Sequence, residues 1–418
     1  MEEEFEVAVV GGGPGGATAA AFLARAGVRT LLVDKARFPR DKACGDAVCT
    51  KSVRILEELG LTGAVEREVC AKVRTQALIG PQGRGVPLPF VDRVGDLRKP
   101  GFVYVIRRDR FDNVLFQHAR SLPGVTAVEG VAFADFLCEG GRIAGIVASD
   151  GEGRERRYRA SIVIGADGAM SRVAERAGAY DFSHKDHRHW IAAFRSYFRG
   201  VQGLGESMEL HFFDEVLPGY FWIFPVGGGE ANVGAGMVES ALQGRGGAGK
   251  INLRKRTAEL LATHPRLRDR FSGAREVEGS FRGWQLPCGS ERRPLAGDGW
   301  MLIGDAASLI DPFSGEGISN AMHSGMLAAQ FAARALREGT VRDGGLRRYE
   351  EQVWRELGPE LETAYRLQRL ARHRWLTRAV FARAARPRAA RAIAALMGDP
   401  EAARQLTRPW FYLRLLFA

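Results

Sequence analysis

Three glycines near the start of this 418-residue chain have the spacing of a turn that binds phosphate. Gly11, Gly13 and Gly16 form a Gly-x-Gly-x-x-Gly pattern between a predicted buried strand and a predicted helix. Glycine permits a tight turn and the close approach of a pyrophosphate, whose charge is favoured at a helix N-terminus. Asp34 ends the next predicted strand, where its carboxylate can accept hydrogen bonds from ribose hydroxyls. The pattern predicts a dinucleotide site in a βαβ unit.

Two later motifs also follow predicted buried strands. The first is Gly-Ala-Asp-Gly at 165–168, which contains Asp167, and the second is Gly-Asp-Ala-Ala at 304–307. The second contains Asp305, whose short charged side chain could hold a ribityl hydroxyl. Each motif alone is also typical of an ordinary turn between a strand and a loop. All three in this order and spacing favour one flavin-dinucleotide site.

The segment Asp-Pro-Phe-Ser-Gly-Glu-Gly-Ile at 311–318 leads into a long predicted helix. The backbone N–H groups of Gly317 and Ile318 open that helix, so they could face the pyrimidine edge of a flavin. There they would stabilise the negative charge of a reduced flavin.

The three motifs resemble those of the FAD-dependent hydroxylase superfamily, and the resemblance covers essentially the whole chain. It implies an α/β fold in which a Rossmann-type FAD-binding domain (GR2, aromatic hydroxylase-like) carries an inserted antiparallel β-sheet substrate domain and an α-helical C-terminal region. We expect the FAD-binding domain at 1–75, 102–180 and 285–345, the substrate domain at 76–101 and 181–284, and the helical basic C-terminal region at 346–418.

Three segments narrow the resemblance to the geranylgeranyl reductase family. Residues 38–46, Phe-Pro-Arg-Asp-Lys-Ala-Cys-Gly-Asp, are similar to its Lys-x-Cys-Gly loop. Residues 220–225, Tyr-Phe-Trp-Ile-Phe-Pro, match its Tyr-x-Trp-x-Phe-Pro motif, and residues 311–318 match its Asp-Pro-Phe-Ser/Thr-Gly-Glu-Gly-Ile run. The Cys-Gly-Asp form and an arginine-rich tail look most like the menaquinone reductase branch.

The resemblance implies an FAD-dependent oxidoreductase that saturates the carbon–carbon double bonds of a geranylgeranyl, polyprenyl or menaquinone chain by hydride transfer from reduced FAD. It implies catalytic roles near the substrate for Cys44, Tyr220 and Trp222. The FAD-binding residues that it implies are Gly11, Gly13, Gly15, Gly16, Asp34, Lys35, Cys44, Gly45, Ala47, Arg108, Ala132, Asp167, Asp305, Gly317 and Ile318.

The chemistry of an isoprenoid sets requirements for such a site. A prenyl chain carries no charge near its double bonds, so we expect a long apolar slot with the flavin at one wall. Reduction of an alkene needs a hydride and a proton, and Cys44 and Tyr220 are the candidate proton donors. Cys44 could equally be a buried, inert thiol, and the aromatic run 220–224 could be an ordinary core strand.

Other functions stay open. One is an FAD-dependent monooxygenase or halogenase of the same superfamily, acting on a small aromatic or carrier-bound substrate; such halogenases carry Trp-x-Trp-x-Ile-Pro where this chain has Tyr220 and Phe224. Another is a non-enzymatic membrane-binding or flavin-sensing protein. No second Rossmann fingerprint is visible, so the electron donor could be NAD(P)H bound transiently, a ferredoxin or another redox partner protein.

The hydrophobic pattern predicts the elements that must position these residues. Predicted strands lie at 5–10, 30–33, 125–127, 143–147, 162–164, 189–198, 207–213, 220–225, 232–237 and 301–303. Predicted helices lie at 17–26, 53–59 and 253–271, from 317 onward, and through the chain after 349. The uncharged run 7–24 has the length of a membrane span, but the glycines within it favour strand, turn and helix.

Positive charge is concentrated in the C-terminal tail. Residues 366–418 hold twelve arginines and two carboxylates, and therefore carry +10 of the net charge of +11. Interleaved aromatic residues such as Trp375 and Trp410 suit an anionic membrane surface, although an arginine-rich solvated helix face has the same composition. No nucleic-acid-binding module accompanies the charge, so we expect no nucleic-acid partner.

Composition excludes several classes of protein. Hydrophobic residues make up 45% and charged residues 26%, which excludes a disordered or fibrous chain. Five cysteines without a CxxC pair support neither a disulfide framework nor a zinc site, and the acidic N-terminus has the wrong sign for a signal peptide. We therefore expect a cytoplasmic protein, peripheral on the inner face of the cell membrane if its tail binds lipid. No metal is expected, because the spacing of the histidines is irregular: His184, His187, His189 and His211.

Overall fold

The computed structural model of the protein describes residues 3–93, 96–243, 251–342 and 344–384. Its strands are β1 (Glu3–Val10), β2 (Thr30–Asp34), β3 (Ala47–Val48), β4 (Cys70–Val73), β5 (Thr75–Ile79), β6 (Gly85–Pro89), β7 (Val91–Arg93), β8 (Asp96–Pro100), β9 (Val103–Ile106), β10 (Val125–Glu129), β11 (Val131–Glu139), β12 (Arg142–Asp150), β13 (Glu155–Gly165), β14 (Trp190–Arg199), β15 (Ser207–His211), β16 (Gly219–Gly227), β17 (Glu230–Val238), β18 (Arg275–Glu276), β19 (Arg282–Pro287), β20 (Ala296–Gly297) and β21 (Trp300–Leu302). Its helices are α1 (Pro14–Arg25), α2 (Thr50–Leu59), α3 (Thr62–Arg67), α4 (Arg108–Ser121), α5 (Arg172–Arg176), α6 (Glu239–Leu242), α7 (Leu253–Thr263), α8 (Pro265–Phe271), α9 (Ile318–Glu338), α10 (Arg347–Glu356), α11 (Gly358–Ala371) and α12 (Arg374–Ala384).

The first sheet has a parallel centre in the order β10-β2-β1-β13, with β21 pairing in parallel on the far side of β13. Strands β12 and β11 continue this side as an antiparallel meander. The carboxyl ends of parallel strands meet at one edge of a sheet, which is where open α/β sheets bind ligands. The glycine turn after β1, Asp34 at the end of β2 and the motifs after β13 and β21 therefore converge, and the predicted Rossmann-type fold is confirmed.

The second sheet is mainly antiparallel, in the order β18-β14-β17-β16-β15-β5-β6 with β19 beside β14. Strand β16 alternates between its two faces, as the two-residue period of a strand requires. Phe221 and Ile223 pack into a core with α7 and α8, whereas Trp222 and Phe224 belong to a different cluster and lie beside Gly45, in the loop after β2. One strand thus builds both a structural core and the wall of a cavity.

One predicted helix is wrong as a single element. The run 253–271 forms two helices, α7 and α8, which meet at His264. Proline at 265 disfavours the helical conformation for the residue before it, and His264 accordingly has an extended backbone with ψ 124°. Its ring nitrogen accepts a hydrogen bond from the backbone N–H of Arg266, which caps the second helix.

The uncharged run 7–24 folds as β1, the glycine turn and α1, as predicted. Within the described part of the chain, we find no helix with the length and apolar character needed to cross a bilayer. Predictions for the tail after 384, including Trp410, fall outside the described residues.

Helices α1 and α9 approach closely at two glycines. A Cβ on Gly325 of α9 would lie 2.4 Å from the carbonyl oxygen of Gly15, at the start of α1. Backbone cannot yield as a flexible side chain can, so a methyl group here must separate the two helices.

We therefore predict that Gly325→Ala lowers the free energy of unfolding by about 1–3 kcal/mol, because the backbone overlap outweighs the gain in helix propensity. Urea unfolding of the two proteins measures this difference. Gly63→Ala in α3 is the matched control, since an added Cβ there meets nothing closer than the Arg67 guanidinium at 3.7 Å. Equal stabilities for both variants would contradict the packing argument.

Candidate active site

A cavity of about 460 Å³ lies at the carboxyl ends of the parallel strands. The proposed FAD-binding residues that line it are Gly11, Gly13, Gly15, Asp34, Lys35, Ala132, Asp167 and Asp305. They come from the ends of β1, β2, β13 and β21 and from the start of β11. The cavity therefore joins the three sequence motifs in one site.

The glycines of the turn have different structural roles. Gly11 has φ +109°, and a Cβ on it would lie 2.3 Å from the carbonyl oxygen of Ala166. Gly16 does not line the cavity; a Cβ there would lie 1.8 Å from the carbonyl oxygen of Gly11, so this glycine allows α1 to pack on the turn. At Gly13 the nearest atom to an added Cβ is 3.4 Å away, in the Arg40 guanidinium. The cavity is thus open where a pyrophosphate would approach α1.

Asp34 is held rigidly at the end of β2. Its Oδ2 accepts a hydrogen bond from the backbone N–H of Gly12 at 2.7 Å, and its Oδ1 accepts one from that of Ala36 at 2.8 Å. A carboxylate oxygen has a second lone pair, so each can still accept a hydrogen bond from a ribose hydroxyl.

A second cavity, of about 280 Å³, lies between these loops and the second sheet. The proposed site residues that line it are Cys44, Gly45, Ala47, Arg108, Tyr220, Trp222, Asp305, Gly317 and Ile318. Much of its wall is apolar: Phe90, Met208, Leu210, Phe212, Leu286 and Phe313. The two cavities are contiguous, because they share lining residues: Pro14, Lys42, Ala43, Trp284, Asp305 and Ala321.

The N-terminus of α9 opens into the second cavity. Gly317 occupies the N-cap position and has no side chain that could accept a capping hydrogen bond. Glu316 accepts a hydrogen bond at 2.7 Å from the backbone N–H of Ser319, the second residue of the helix. The helix dipole therefore presents partial positive charge to the cavity at Gly317 and Ile318.

The carboxylate of Asp305 is paired with a lysine of the protein. Its Oδ2 forms an ion pair with the Lys42 ammonium at 3.0 Å, and both side chains line the junction of the two cavities. A ribityl hydroxyl bound to Asp305 would therefore share the carboxylate with Lys42.

Arg108 belongs to a buried charge cluster. Its guanidinium donates two hydrogen bonds to Asp112, at 2.6 and 2.7 Å, and Arg40 donates another to the same carboxylate at 2.5 Å. Burial opposes ionisation of Asp112, but the two arginines outweigh it and hold its pKa below the usual value. Burial raises the pKa of the Cys44 thiol, although the neighbouring Arg108 opposes this shift.

The loop after Cys44 is tied to the second sheet by an amide. The Asn232 side chain donates hydrogen bonds at 2.8 Å both to the carbonyl oxygen of Cys44 and to Oδ2 of Asp46. It accepts one from the indole N–H of Trp222, also at 2.8 Å. Tyr197 donates a further hydrogen bond to Asp46 at 2.6 Å.

Tyr220 lines the same cavity, two residues before Trp222 on β16. Its hydroxyl donates to the carbonyl oxygen of Ser314, and burial raises its pKa above the usual value. Its ring lies 6.0 Å from that of Trp222, between centroids, so the two aromatic side chains form adjoining parts of one wall.

Comparison with known proteins identifies the family of the chain. The FAD binding domain model matches residues 4–199. A digeranylgeranylglycerophospholipid reductase from Methanosarcina mazei is 31% identical over 85% of this chain and 82% of its own length, and a menaquinone reductase from Mycobacterium tuberculosis is 32% identical over 79% and 77%. The crystal structure of a geranylgeranyl bacteriochlorophyll reductase-like protein from Thermoplasma acidophilum is 25% identical, with a TM-score of 0.82 over 97% of this chain and 99% of that one.

The chain belongs to the geranylgeranyl reductase family. It is therefore an FAD-dependent oxidoreductase, as the motifs predicted. A myxobacterial FAD-dependent halogenase shares the fold, with a TM-score of 0.73 and 25% identity over 87% of this chain and 83% of its own. The fold is thus common to more than one chemistry.

The described residues of this family member fit FAD. The open turn at Gly13, the uncapped start of α1 and the fixed carboxylate of Asp34 suit the adenosine diphosphate half. The N-terminus of α9 at Gly317 suits the flavin ring, because a helix N-terminus favours negative charge.

Several residues of the site were not among the predicted ones. The sequence motifs include Lys42 and Asp46 but indicate no contact for either, and they do not include Tyr197 or Asn232. Their partners lie far away along the chain, so no local pattern identifies them. Conversely, the structure shows no group of three or more histidine, cysteine, aspartate or glutamate side chains placed to hold a metal within the part of the chain that it describes.

The buried cluster at Arg108 gives a stability prediction for this family member. We expect Asp112→Ala to lower the free energy of unfolding by about 3–5 kcal/mol, because it leaves Arg108, whose side chain is 4% exposed, as a buried cation without its carboxylate. Glu362→Ala, which breaks an exposed ion pair with Arg366, is the control and should cost less than about 1 kcal/mol. Chemical denaturation measures the free energy of unfolding of both variants. A decrease for Asp112→Ala no larger than that for Glu362→Ala would refute the argument.

Proposed function

We propose that this protein saturates carbon–carbon double bonds of a polyprenyl chain by hydride transfer from reduced FAD. The observation that carries the proposal is the apolar cavity that continues from the flavin end of the dinucleotide site. Its wall of aromatic and aliphatic side chains suits a substrate without charge near its reactive bonds. The relatives named as digeranylgeranylglycerophospholipid and menaquinone reductases support the same class of substrate.

We propose that the first sheet binds the cofactor and that the second sheet forms the wall of the substrate cavity. In this proposal the loops of the first sheet, with Gly11, Gly13, Gly15, Asp34, Lys35, Ala132, Asp167, Asp305, Gly317 and Ile318, hold FAD. FAD supplies the hydride when it is bound and reduced. The second sheet contributes Tyr220 and Trp222 to the wall that keeps the chain against the flavin, and Cys44, Gly45, Ala47 and Arg108 line the same cavity.

The charges of the cavity favour a lipid-linked chain over a prenyl diphosphate. The cations that line it are Lys42, Arg108 and Arg195, and each is paired with a carboxylate of the protein. A diphosphate would need cations free to bind it. A prenyl chain whose headgroup stays outside, as in a glycerophospholipid or a menaquinone, needs none.

Anaerobic turnover tests the proposed function against the halogenase and monooxygenase alternative. Protein whose FAD has been reduced with dithionite is mixed with a polyprenyl quinone or a geranylgeranyl lipid without oxygen, and the flavin absorbance and product mass are followed. Reoxidation of the flavin with a product heavier by two hydrogens supports the reductase. A product that forms only with oxygen and gains oxygen or halogen supports the alternative.

A larger side chain in the cavity should lower activity toward the substrate without reducing FAD binding. Gly236 of β17 lines it, and an added Cβ would make only ordinary contacts, 3.5 Å from the side chains of Ala193 and Ile191. We predict that Gly236→Leu lowers kcat/KM for a polyprenyl substrate at least ~10-fold, with normal FAD content, because the new side chain occupies space that the chain needs.

Gly205→Leu is the control for that measurement, because a Cβ at Gly205 meets no atom within 4 Å. Steady-state kinetics should show the fall in kcat/KM for Gly236→Leu and not for Gly205→Leu. If Gly236→Leu retained the activity of Gly205→Leu, the cavity would not be the substrate site.

We also propose that the basic C-terminal region binds an anionic membrane surface, from which a lipid substrate could be drawn. The described start of this region supports the proposal: Trp375 on α12 is 67% exposed. An exposed indole beside arginines suits the membrane interface.

For the membrane proposal, we predict that Arg383→Glu, Arg386→Glu and Arg391→Glu together weaken co-sedimentation with phosphatidylserine vesicles by at least ~10-fold, because each arginine contributes about 1 kcal/mol near an anionic surface. A charge-matched control changes three exposed arginines of the body to glutamate: Arg67, Arg337 and Arg342. Equal loss in both triple variants, or no loss in the first, would rule out a specific role of the tail.

A further inference from the structure

Trp284 of β19 is exposed at the point where the two cavities of the active site join. It is 43% exposed, and it lines both the dinucleotide cavity at the glycine turn and the apolar cavity beside the second sheet. Of the described residues that line both cavities, it is the one that the second sheet contributes. No hydrogen bond or ring contact within the described part of the chain involves its indole. A large aromatic surface is therefore open at this junction.

Alternate residues of β19 lie along the two cavities in order. A strand turns every second side chain to the same face, so Arg282, Trp284 and Leu286 share one face. Arg282 lines the dinucleotide cavity, Leu286 lines the apolar cavity, and Trp284 between them lines both. Arg282 also forms an ion pair with Asp41 at 3.4 Å, which ties this strand to the loop after β2. A molecule that extends from one cavity into the other must therefore pass the indole.

The part of FAD that meets Trp284 follows from the groups on the other side of the junction. Gly317, which suits the flavin ring, adjoins the junction, because a Cβ on it would lie 3.5 Å from Oδ1 of Asp305. Asp305 and Lys42 are charged and suit the ribityl hydroxyls. The indole of Trp284 is an uncharged aromatic plane, which suits the isoalloxazine ring better than a hydroxylated chain.

We infer that Trp284 stacks on the isoalloxazine ring of bound FAD. The inference rests on the FAD site proposed above and does not depend on the identity of the substrate. Stacking would remove the exposed indole and one face of the ring from water together. Trp284 would then hold the flavin at the junction, where the ring is also beside the N-terminus of α9 at Gly317.

Trp284→Leu tests the inference, because leucine is apolar but has no aromatic face. FAD-loaded full-length protein is diluted, and the fluorescence of released FAD gives the dissociation constant. We expect the constant to rise at least ~5-fold in Trp284→Leu, because an aromatic pair is stabilised beyond the area that it buries. Trp284→Phe keeps an aromatic face and should stay within ~3-fold of the wild type. An unchanged constant in Trp284→Leu, or an equal rise in Trp284→Phe, would overturn the inference.

Trp375→Leu is the matched control, since it removes an indole that is 67% exposed and lines neither cavity. Its dissociation constant for FAD should equal that of the wild type. A rise as large as that in Trp284→Leu would show that the loss of any exposed indole weakens FAD binding, and would overturn the inference.

ADP separates the two halves of the cofactor. It carries the adenosine and the diphosphate of FAD but no flavin, and it should displace FAD by competing for the adenosine half of the site. Its inhibition constant should be the same in the wild type and in Trp284→Leu. An increase for ADP as large as that for FAD would place the lost contact at the adenosine half and would contradict stacking on the flavin.

Hydroxyl-radical footprinting with mass spectrometry follows the indole itself and needs no substrate. Oxidation of Trp284 should be at least ~2-fold slower in FAD-loaded protein than after FAD is removed, because a stacked ring covers its face. Trp375 is the internal reference and should be oxidised equally in both samples. Equal oxidation of Trp284 with and without FAD would overturn the inference.

Failure of this inference is distinguishable from failure of the proposed function. Equal affinities for FAD in the wild type and Trp284→Leu would refute only the role of Trp284. A wild type that binds no FAD would refute the FAD site and this inference together. Failure to reduce a polyprenyl substrate would refute only the proposed function, since the affinity for FAD is measured without substrate.

Discussion

The side-chain amide of Asn232 is the contact on which the geometry of the active site depends. It uses both N–H groups and its oxygen to join Cys44, Asp46 and Trp222, and it is itself fully buried. A buried polar group without partners would be costly, so this satisfied amide holds the loop of the first sheet and the wall of the second in one register. The cavity between them owes its shape to that connection.

The charged groups around the cavity also have their partners within the protein. Ion pairs neutralise the arginines and the lysine that line it, and carboxylates are held by backbone N–H groups or by hydroxyls. The apolar space is thus surrounded by charges that have partners within the protein, although Oδ1 of Asp46 and Nε of Arg195 have no hydrogen-bond partner among the described residues. Such a site excludes water while it presents few unpaired charges to a hydrocarbon chain.

Much of the fold could be predicted from local patterns. The glycine turn, Asp34 and the motifs after β13 and β21 are short segments whose strand and turn chemistry is visible in the sequence, and the topology of a parallel sheet brings them together. The break between α7 and α8 is also visible in the sequence, because Pro265 disfavours a helical conformation for His264. What could not be predicted is the environment of Asp46, whose partners Tyr197 and Asn232 lie 151 and 186 residues away. Nor does the sequence reveal that Lys42 forms an ion pair with Asp305.

The most direct test of the account is a crystal structure of the FAD-loaded protein with a polyprenyl lipid. The account predicts a double bond of the chain beside the flavin ring, between the Gly317 end of α9 and the wall at Trp222, with the headgroup outside the cavity. A chain bound elsewhere, or a cavity closed by its own aromatic side chains when FAD is present, would contradict it.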